Sequence, residues 1–125
     1  MLETGTFLNE RYEILNQIGS GGMSIVYKAK CHKLSRFVAI KVLRQEFCND
    51  ADFIRRFKVE AQAAASLSHP NIVNIFDVGN DGEVHYIVMG YLQGVTLKEY
   101  IEKNKPLDEQ EILRISLAVS SALEH

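Results

Sequence analysis

Hydrophobic and polar residues alternate along the N-terminal part of the chain, and a period of two predicts β-strands. The alternation covers residues 11–18, 25–30, 36–44, 72–78 and 83–89, whereas residues 1–10 have no clear period and predict an irregular lead-in. Between the third and fourth strands the period becomes helical. The helical stripe comprises Phe53, Phe57, Glu60, Ala61, Ala64 and Leu67. A helix is therefore predicted from the cap residues at 49–52 to about Ser68, because Pro70 disfavours helical geometry at His69.

Two further helices are predicted near the C-terminus of the sequence. Thr96 and Glu99 have the spacing of a capping box, and Asp108 with Glu111 repeats that spacing. After the second cap, one apolar face is formed by Ile112, Ile115, Val119, Ala122 and Leu123. The predicted order is three strands, one helix, two strands and two helices, which is an α+β fold. Such an apolar face needs a covering surface, so the chain is expected to associate with itself or to be poorly stable.

Composition narrows the class of protein without naming it. The 125 residues are 46% hydrophobic and 24% charged, with a net charge of −2, which is ordinary for a globular domain and gives no support to nucleic-acid binding. No apolar run approaches the roughly 20 residues of a membrane span, and the first residues do not resemble a signal peptide. Cys31 and Cys48 do not form a metal-ligand pattern and are expected to be reduced thiols.

A glycine-rich turn followed by a strand that carries a lysine is the main candidate for chemistry. Residues 18–24 read Ile-Gly-Ser-Gly-Gly-Met-Ser, and residues 38–41 read Val-Ala-Ile-Lys. Glycines lack the Cβ atom that keeps a ligand away from the backbone, so N–H groups can point at a phosphate. Lys41 would add a positive charge from a neighbouring strand. The plain alternative is a hairpin turn without a ligand, beside a solvated lysine.

These two motifs together resemble the glycine-rich loop and the strand-three lysine of eukaryotic-type protein kinases. The wording Gly21-Gly22-Met23-Ser24 is most similar to bacterial serine/threonine kinases of the PASTA-receptor type. The resemblance implies a kinase small lobe at 11–89, with a five-stranded antiparallel sheet and one long helix. It further implies a hinge at 90–95 and the first two helices of a truncated large lobe at 96–125.

The resemblance also assigns site residues. Lys41 and Glu60 match the ion pair that aims the lysine at the ATP phosphates, and an apolar setting for Glu60 would require such a partner. The loop would cover the phosphates, and the other matching positions would line the adenine slot or form the hinge. The ATP-binding residues implied are Ile18, Gly19, Ser20, Gly21, Gly22, Met23, Ser24, Val26, Ala39, Lys41, Val73, Met89, Gly90, Tyr91 and Leu92.

Two positions depart from the family pattern, and one segment matches it. Ser24 stands where the family usually has a third glycine, and Gly90 stands where it usually has glutamate. The carbonyl that would accept from adenine survives at Gly90, although glycine loosens the backbone there. Residues 69–71, His-Pro-Asn, match the loop that follows the family's long helix, and a structural role is expected for them.

The implied function is transfer of the ATP γ-phosphate to serine or threonine hydroxyls of proteins. No His-Arg-Asp or Asp-Phe-Gly motif occurs in the sequence, so the Mg²⁺ ligands are expected in the absent part of the large lobe and this chain alone is expected to be inactive. A cytoplasmic location is expected, with a single membrane anchor outside this chain in the parent protein. Two alternatives remain open: a non-catalytic nucleotide-binding pseudokinase, and an interaction module that forms a homodimer.

Overall fold

The computed structural model describes residues 2–125, which contain six strands, one short 3-10 helix and three α-helices. The strands are β1 (Phe7–Leu8), β2 (Tyr12–Ser20), β3 (Ser24–Cys31), β4 (Arg36–Leu43), β5 (Ile75–Asp81) and β6 (Val84–Gly90). The 3-10 helix is Gln45–Phe47, and the α-helices are α1 (Ala51–Ala65), α2 (Leu97–Asn104) and α3 (Glu109–Leu123). The elements fall into two compact units, one of residues 2–67 and 74–91 and the other of residues 68–73 and 92–125. None of the helices described is long and apolar enough to cross a membrane.

The first unit is built on one antiparallel sheet with strand order β1-β2-β3-β4-β6-β5. The α+β fold predicted from the sequence is confirmed, but the sheet has six strands rather than five. The extra strand is the pair Phe7–Leu8 in the lead-in that was expected to be irregular. Asn9 and Glu10 adopt φ values of 50° and 57°, which gives the tight reversal that brings Leu8 back against Tyr12.

The strand predicted at 72–78 is displaced toward the C-terminus and runs from Ile75 to Asp81. The residues before it make other hydrogen bonds instead of pairing in the sheet. Asn71 Nδ2 donates to the Ala118 carbonyl at 2.9 Å, and the Ile72 N–H donates to the His69 carbonyl at 3.1 Å. At the other end the β5–β6 pairing continues to Asp81 opposite Val84. The reversal is therefore a two-residue turn, with Gly82 at a φ of 59°.

The two faces of the sheet carry two separate cores. On one face, strands β1 to β4 and β6 enclose a core whose largest fully buried side chains include Tyr27, Ile40 and Tyr86. On the other face, α1 packs through Phe57 and Ala61 against Leu43 and Ile87. Helix α1 begins at the Asp50 cap, whose side chain accepts from the Asp52 N–H, and it ends close to the predicted position.

The second unit contains α2, α3 and the segment 68–73. Both predicted caps are formed: Thr96 Oγ1 accepts from the Glu99 N–H at 3.1 Å, and Asp108 Oδ1 accepts from the Glu111 N–H at 2.8 Å. His69 Nε2 is hydrogen-bonded to Ser121 Oγ at 3.0 Å, and Asn71 is bonded to α3 as described above. These contacts agree with the structural role expected for the His-Pro-Asn segment.

Candidate functional site

The predicted site residues of β3, β4 and β6 share one face of the sheet. Ala39 is the register partner of Lys28 on one side and of Met89 on the other, and Lys41 is the partner of Val26 and Ile87. Partners across a ladder and residues two apart on a strand point to the same side. Helix α1 packs on this face at Leu43 and Ile87. The neighbouring residues Ala39, Lys41, Val26 and Met89 make up the candidate site.

Ala39 has a short side chain between two much longer ones on this face. It is 6% exposed, between a lysine and a methionine whose side chains extend well beyond its Cβ. A branched side chain at position 39 would reach further above the sheet than alanine does, into the place where a flat ligand would lie. Val26 and Met89 flank Ala39 on this face, and this position is called the slot; Lys41 lies two residues along the same strand.

The glycine-rich segment is the turn between β2 and β3. The Gly21 N–H donates to the Ser24 carbonyl at 2.8 Å, which closes the hairpin, while Gly21, Gly22 and Met23 are exposed. Among residues 2–125, no acceptor within the chain takes the N–H groups of Gly22 and Met23. A Cβ at Gly22 would meet no atom within 4 Å, so the space above the turn is open. The turn thus presents two free donors to an incoming anion.

Ser24, which stands where the family's third glycine was expected, is buried at 6% exposure and begins β3 opposite Leu43. Gly19 lies opposite Val26. Ile18 and Met23 are exposed at 45% and 36%, and Ser20 is also exposed. The loop residues therefore lie at the ends of β2 and β3, and Ser24 pairs with β4, the strand that carries Ala39 and Lys41.

Lys41 and Glu60 do not form the predicted ion pair. Within residues 2–125, neither side chain takes part in an ion pair, and Glu60 is exposed on α1. The expectation of apolar surroundings for Glu60 is wrong because α1 packs through Phe57 and Ala61. Glu60 precedes Ala61 by one residue, which turns its side chain about 100° away from the buried one.

The segment predicted to be the hinge, residues 90–95, begins inside the sheet. Gly90 is the last residue of β6, where it is the register partner of Val38, and its N–H donates to the Asn74 carbonyl at 3.0 Å. Next to it, the Tyr91 ring lies at an edge-on angle to the Phe37 ring, with centroids 6.5 Å apart. Lys28 Nζ lies 4.4 Å from the Phe37 centroid and 5.1 Å from the Tyr91 centroid. This cation–π cluster holds Tyr91 against the outer end of the slot face.

The other two predicted adenine-site residues, Val73 and Leu92, belong to the second unit. Val73 is 38% exposed and Leu92 is 73% exposed.

Two residues at the site were not predicted from the sequence. Lys28 lies beside Ala39, and Arg44 donates to Gly21 and Ser20 of the glycine turn. A lysine in an alternating strand and an arginine after a strand are both ordinary surface patterns. Nothing in the sequence distinguished them, because the cross-strand register that gives each its neighbours is a property of the folded sheet.

The donor set fits a phosphate-bearing ligand but not a divalent cation. Two free N–H groups and Lys41 match the polyanionic part of a nucleotide, and the small Ala39 beside them suits its flat aromatic part. Mg²⁺ requires oxygen ligands, and no group of three or more His, Cys, Asp and Glu side chains that could hold a metal is found in residues 2–125. No step is therefore assigned to a metal held by this chain.

The strand–glycine turn–strand arrangement, followed by a slot face with a lysine and a helix, is the small-lobe architecture of protein kinases. The chain belongs to the protein kinase domain family, whose sequence pattern matches residues 12–125. This confirms the family resemblance drawn from the glycine turn and Lys41.

Bacterial relatives agree with that assignment. The chain is 52% identical over 121 residues to serine/threonine-protein kinase PrkC of Bacillus subtilis, covering 97% of this chain and 19% of PrkC. It is 39% identical over 126 residues to PknB of Mycobacterium tuberculosis, covering 98% of this chain and 20% of PknB. The crystal structure of the M. tuberculosis PknI kinase domain superposes with a TM-score of 0.81 at 30% identity, covering 98% of this chain and 50% of that one. The chain thus spans about a fifth of the length of these curated relatives.

Proposed function

We propose that this chain is the ATP-binding part of a bacterial protein kinase that transfers the γ-phosphate of ATP to serine or threonine hydroxyls of proteins. The observation that carries the proposal is the shared face on which Ala39, Lys41, Val26 and Met89 meet next to the glycine turn. Adenine would lie in the slot over Ala39, and the phosphates would extend toward Lys41 and the free N–H groups of the turn.

Each site residue has a defined part in this proposal. The Gly90 carbonyl and the Leu92 N–H would hydrogen-bond adenine, while Ile18, Val26, Val73 and Met89 would pack against it. Lys41 would hold the α- and β-phosphates as a positive charge, and Gly21 to Ser24 would approach the phosphates through main-chain groups. When bound, Mg²⁺ would neutralise phosphate charge. No group of three or more His, Cys, Asp and Glu side chains that could hold it is found in residues 2–125, so its ligands and catalysis are assigned to the longer parent protein.

Glu60 would join the site after a rotation of α1. The helix already packs on Leu43 and Ile87, which are the neighbours of Lys41 on the same face. A turn of the helix about its axis would therefore bring Glu60 toward Lys41 without moving α1 to another part of the sheet. In the present arrangement Lys41 lacks that orienting carboxylate.

Two further parts of the proposal concern partners and location. Self-association is favoured by α3, on which Ile112 is 50% exposed and Val119 is 48% exposed. A cytoplasmic setting is proposed because ATP and protein substrates would be met there, with any membrane anchor outside this chain.

A titration with a non-hydrolysable ATP analogue tests the nucleotide site. Backbone amide shifts would be followed, and weak binding is expected to move the signals of Gly21, Gly22 and Leu92. Adenosine should shift Leu92 with little effect on the glycines, since it carries no phosphate. Amides of Leu8 and Tyr27 in the opposite core provide the internal control. Binding that leaves both glycines and Leu92 unmoved would contradict the proposed site.

A further inference from the structure

The glycine turn is tied to the lysine strand by one side chain. Arg44 directly follows β4, the strand that carries Lys41. Its main-chain N–H donates to the Met23 carbonyl at 2.8 Å, its Nε donates to the Gly21 carbonyl at 3.0 Å, and its Nη2 donates to Ser20 Oγ at 2.7 Å. Three hydrogen bonds from a single residue therefore span the turn from Ser20 to Met23.

The turn has few other restraints. Its internal closure is the bond from the Gly21 N–H to the Ser24 carbonyl, and a Cβ built at Gly22 would touch nothing. Three glycines among residues 19–22 give the segment a large conformational entropy when it is free. The guanidinium is well suited to reduce that freedom, because its planar fork places two donors in a fixed geometry. Within residues 2–125, no carboxylate forms an ion pair with Arg44 that would compete for those donors.

We propose that Arg44 is a positioning residue for phosphate binding: it holds the glycine turn in register with the Lys41 strand, so that the Gly22 and Met23 N–H groups and Lys41 face one ligand together. The inference rests on the proposed nucleotide site. Arg44 acts through the turn, since both of its side-chain bonds are made to Ser20 and Gly21. A turn that is already ordered loses little conformational entropy when the ligand binds. Removing Arg44 would leave that entropy to be lost on binding, so the affinity should fall.

Phosphate dependence provides the first test. Arg44→Ala is expected to weaken binding of the ATP analogue about tenfold, the effect of losing one charge-assisted bond, and to leave adenosine affinity within about twofold. Arg55→Ala, which removes an exposed arginine of α1 from the same unit, is the matched control for loss of a positive charge. Equal affinity of the Arg44→Ala and wild-type chains for the ATP analogue would overturn the inference.

Arg44→Lys separates positioning from simple attraction of phosphate. Lysine keeps the charge but cannot reproduce the two-donor fork, so it should remain close to Arg44→Ala in affinity. Full recovery by lysine would show that the charge alone matters and would overturn the positioning role. A double-mutant cycle with Ser20→Ala gives the second readout: the two effects should be clearly non-additive, because the hydroxyl and the guanidinium form one contact. If the affinity changes of the two single variants add strictly in the double variant, Arg44 does not act through its contact with Ser20.

Amide hydrogen exchange measured without nucleotide tests the contact between Arg44 and the glycine turn independently of nucleotide binding. Removing Arg44 should speed exchange at Gly21 and Ser24, while exchange at Val38 and Ile40 in the core should be unchanged. A wild-type chain that binds no nucleotide but shows this local change would refute the nucleotide site and retain Arg44 as the tie of the turn. Unchanged exchange in the turn would refute the tie itself, whatever the affinity for nucleotide.

Discussion

Ala39 and Met89 are register partners on adjacent strands, and they share their side of the sheet with Lys41. Ala39→Ile should therefore fill the slot from below. The added branched chain would occupy the space proposed for adenine, and we expect ATP-analogue affinity to fall at least tenfold. Isothermal titration of the variant and the wild type would measure this loss.

The matched control for that substitution is Ala63→Ile, which adds the same side chain to an exposed position of α1. It should leave nucleotide affinity unchanged. A thermal melt of each variant would establish that the fold is retained. If Ala39→Ile binds the analogue as tightly as the wild type does, the slot over Ala39 is not the adenine site.

Glu60→Gln tests whether the exposed position of Glu60 is the arrangement in solution. Because the carboxylate is exposed and outside any ion pair of residues 2–125, the free energy of unfolding should change by less than about 0.5 kcal/mol. Denaturant unfolding would measure it, with Glu46→Gln as an exposed control in the same unit. A loss of about 3–5 kcal/mol would instead indicate a buried Lys41–Glu60 pair.

Lys41→Met should reduce affinity for the ATP analogue and leave adenosine binding unchanged, because Lys41 is proposed to contact phosphates only. In a longer protein that contains the remaining lobe, both Lys41→Met and Glu60→Gln should reduce phosphoryl transfer. A phosphorylation assay on that protein would show it. Full activity of the Lys41→Met variant would exclude Lys41 from the reaction.

Tyr12 predicts a pH dependence of stability at alkaline pH. Its hydroxyl donates to Asp77 Oδ2 at 3.2 Å, and burial, followed by the Asp77 charge, raises the pKa of Tyr12 from 10.0 to about 12. The folded chain therefore keeps the proton that the unfolded chain releases above pH 10. The corresponding stabilisation is complete below pH 10 and is lost as the pH rises to about 12.

Unfolding experiments between pH 9 and 12 on the wild type and Tyr12→Phe would detect this contribution. The wild type should lose stability more steeply than the variant above pH 10. Tyr100→Phe, in α2, controls for loss of a tyrosine hydroxyl. Parallel curves for the wild type and Tyr12→Phe would contradict the raised pKa of Tyr12.

The apolar face of α3 predicts self-association. Val119 is 48% exposed and Leu123 is 82% exposed, so water contacts apolar surface that a second copy could cover. Val119→Lys should lower the apparent mass in sedimentation over a concentration series. Gln110→Lys, placed about 180° away from Val119 around the helix, should not. A wild-type chain that remains monomeric at every concentration would contradict this prediction.

Period-two alternation was sufficient to predict the order of the main strands, since this depends only on local geometry. The same reasoning failed at Glu60. A helical stripe of six residues is wide enough to include positions on its border, and only the packing of Phe57 and Ala61 on the sheet decides which side is buried.

Local sequence patterns also fail to predict elements that are stabilised by contacts with residues distant in the sequence. The pair Phe7–Leu8 is too short to show a period, and it becomes a strand because Leu8 enters the core formed by later strands. The displacement of β5 has a similar origin, since Asn71 is held by α3 almost fifty residues further on. The tie between Arg44 and Ser20 likewise depends on the β3–β4 register.

The bond from the Gly90 N–H to the Asn74 carbonyl involves main-chain atoms only. This contact therefore does not depend on the side chain of either residue, and residues larger than glycine can replace Gly90 while the bond is preserved. The neighbouring Tyr91 has no such freedom, because its contacts with Lys28 and Phe37 are made by the ring itself. Over evolutionary time, we expect substitutions at Tyr91 to be accompanied by changes at Lys28 or Phe37, and those at Gly90 to occur alone.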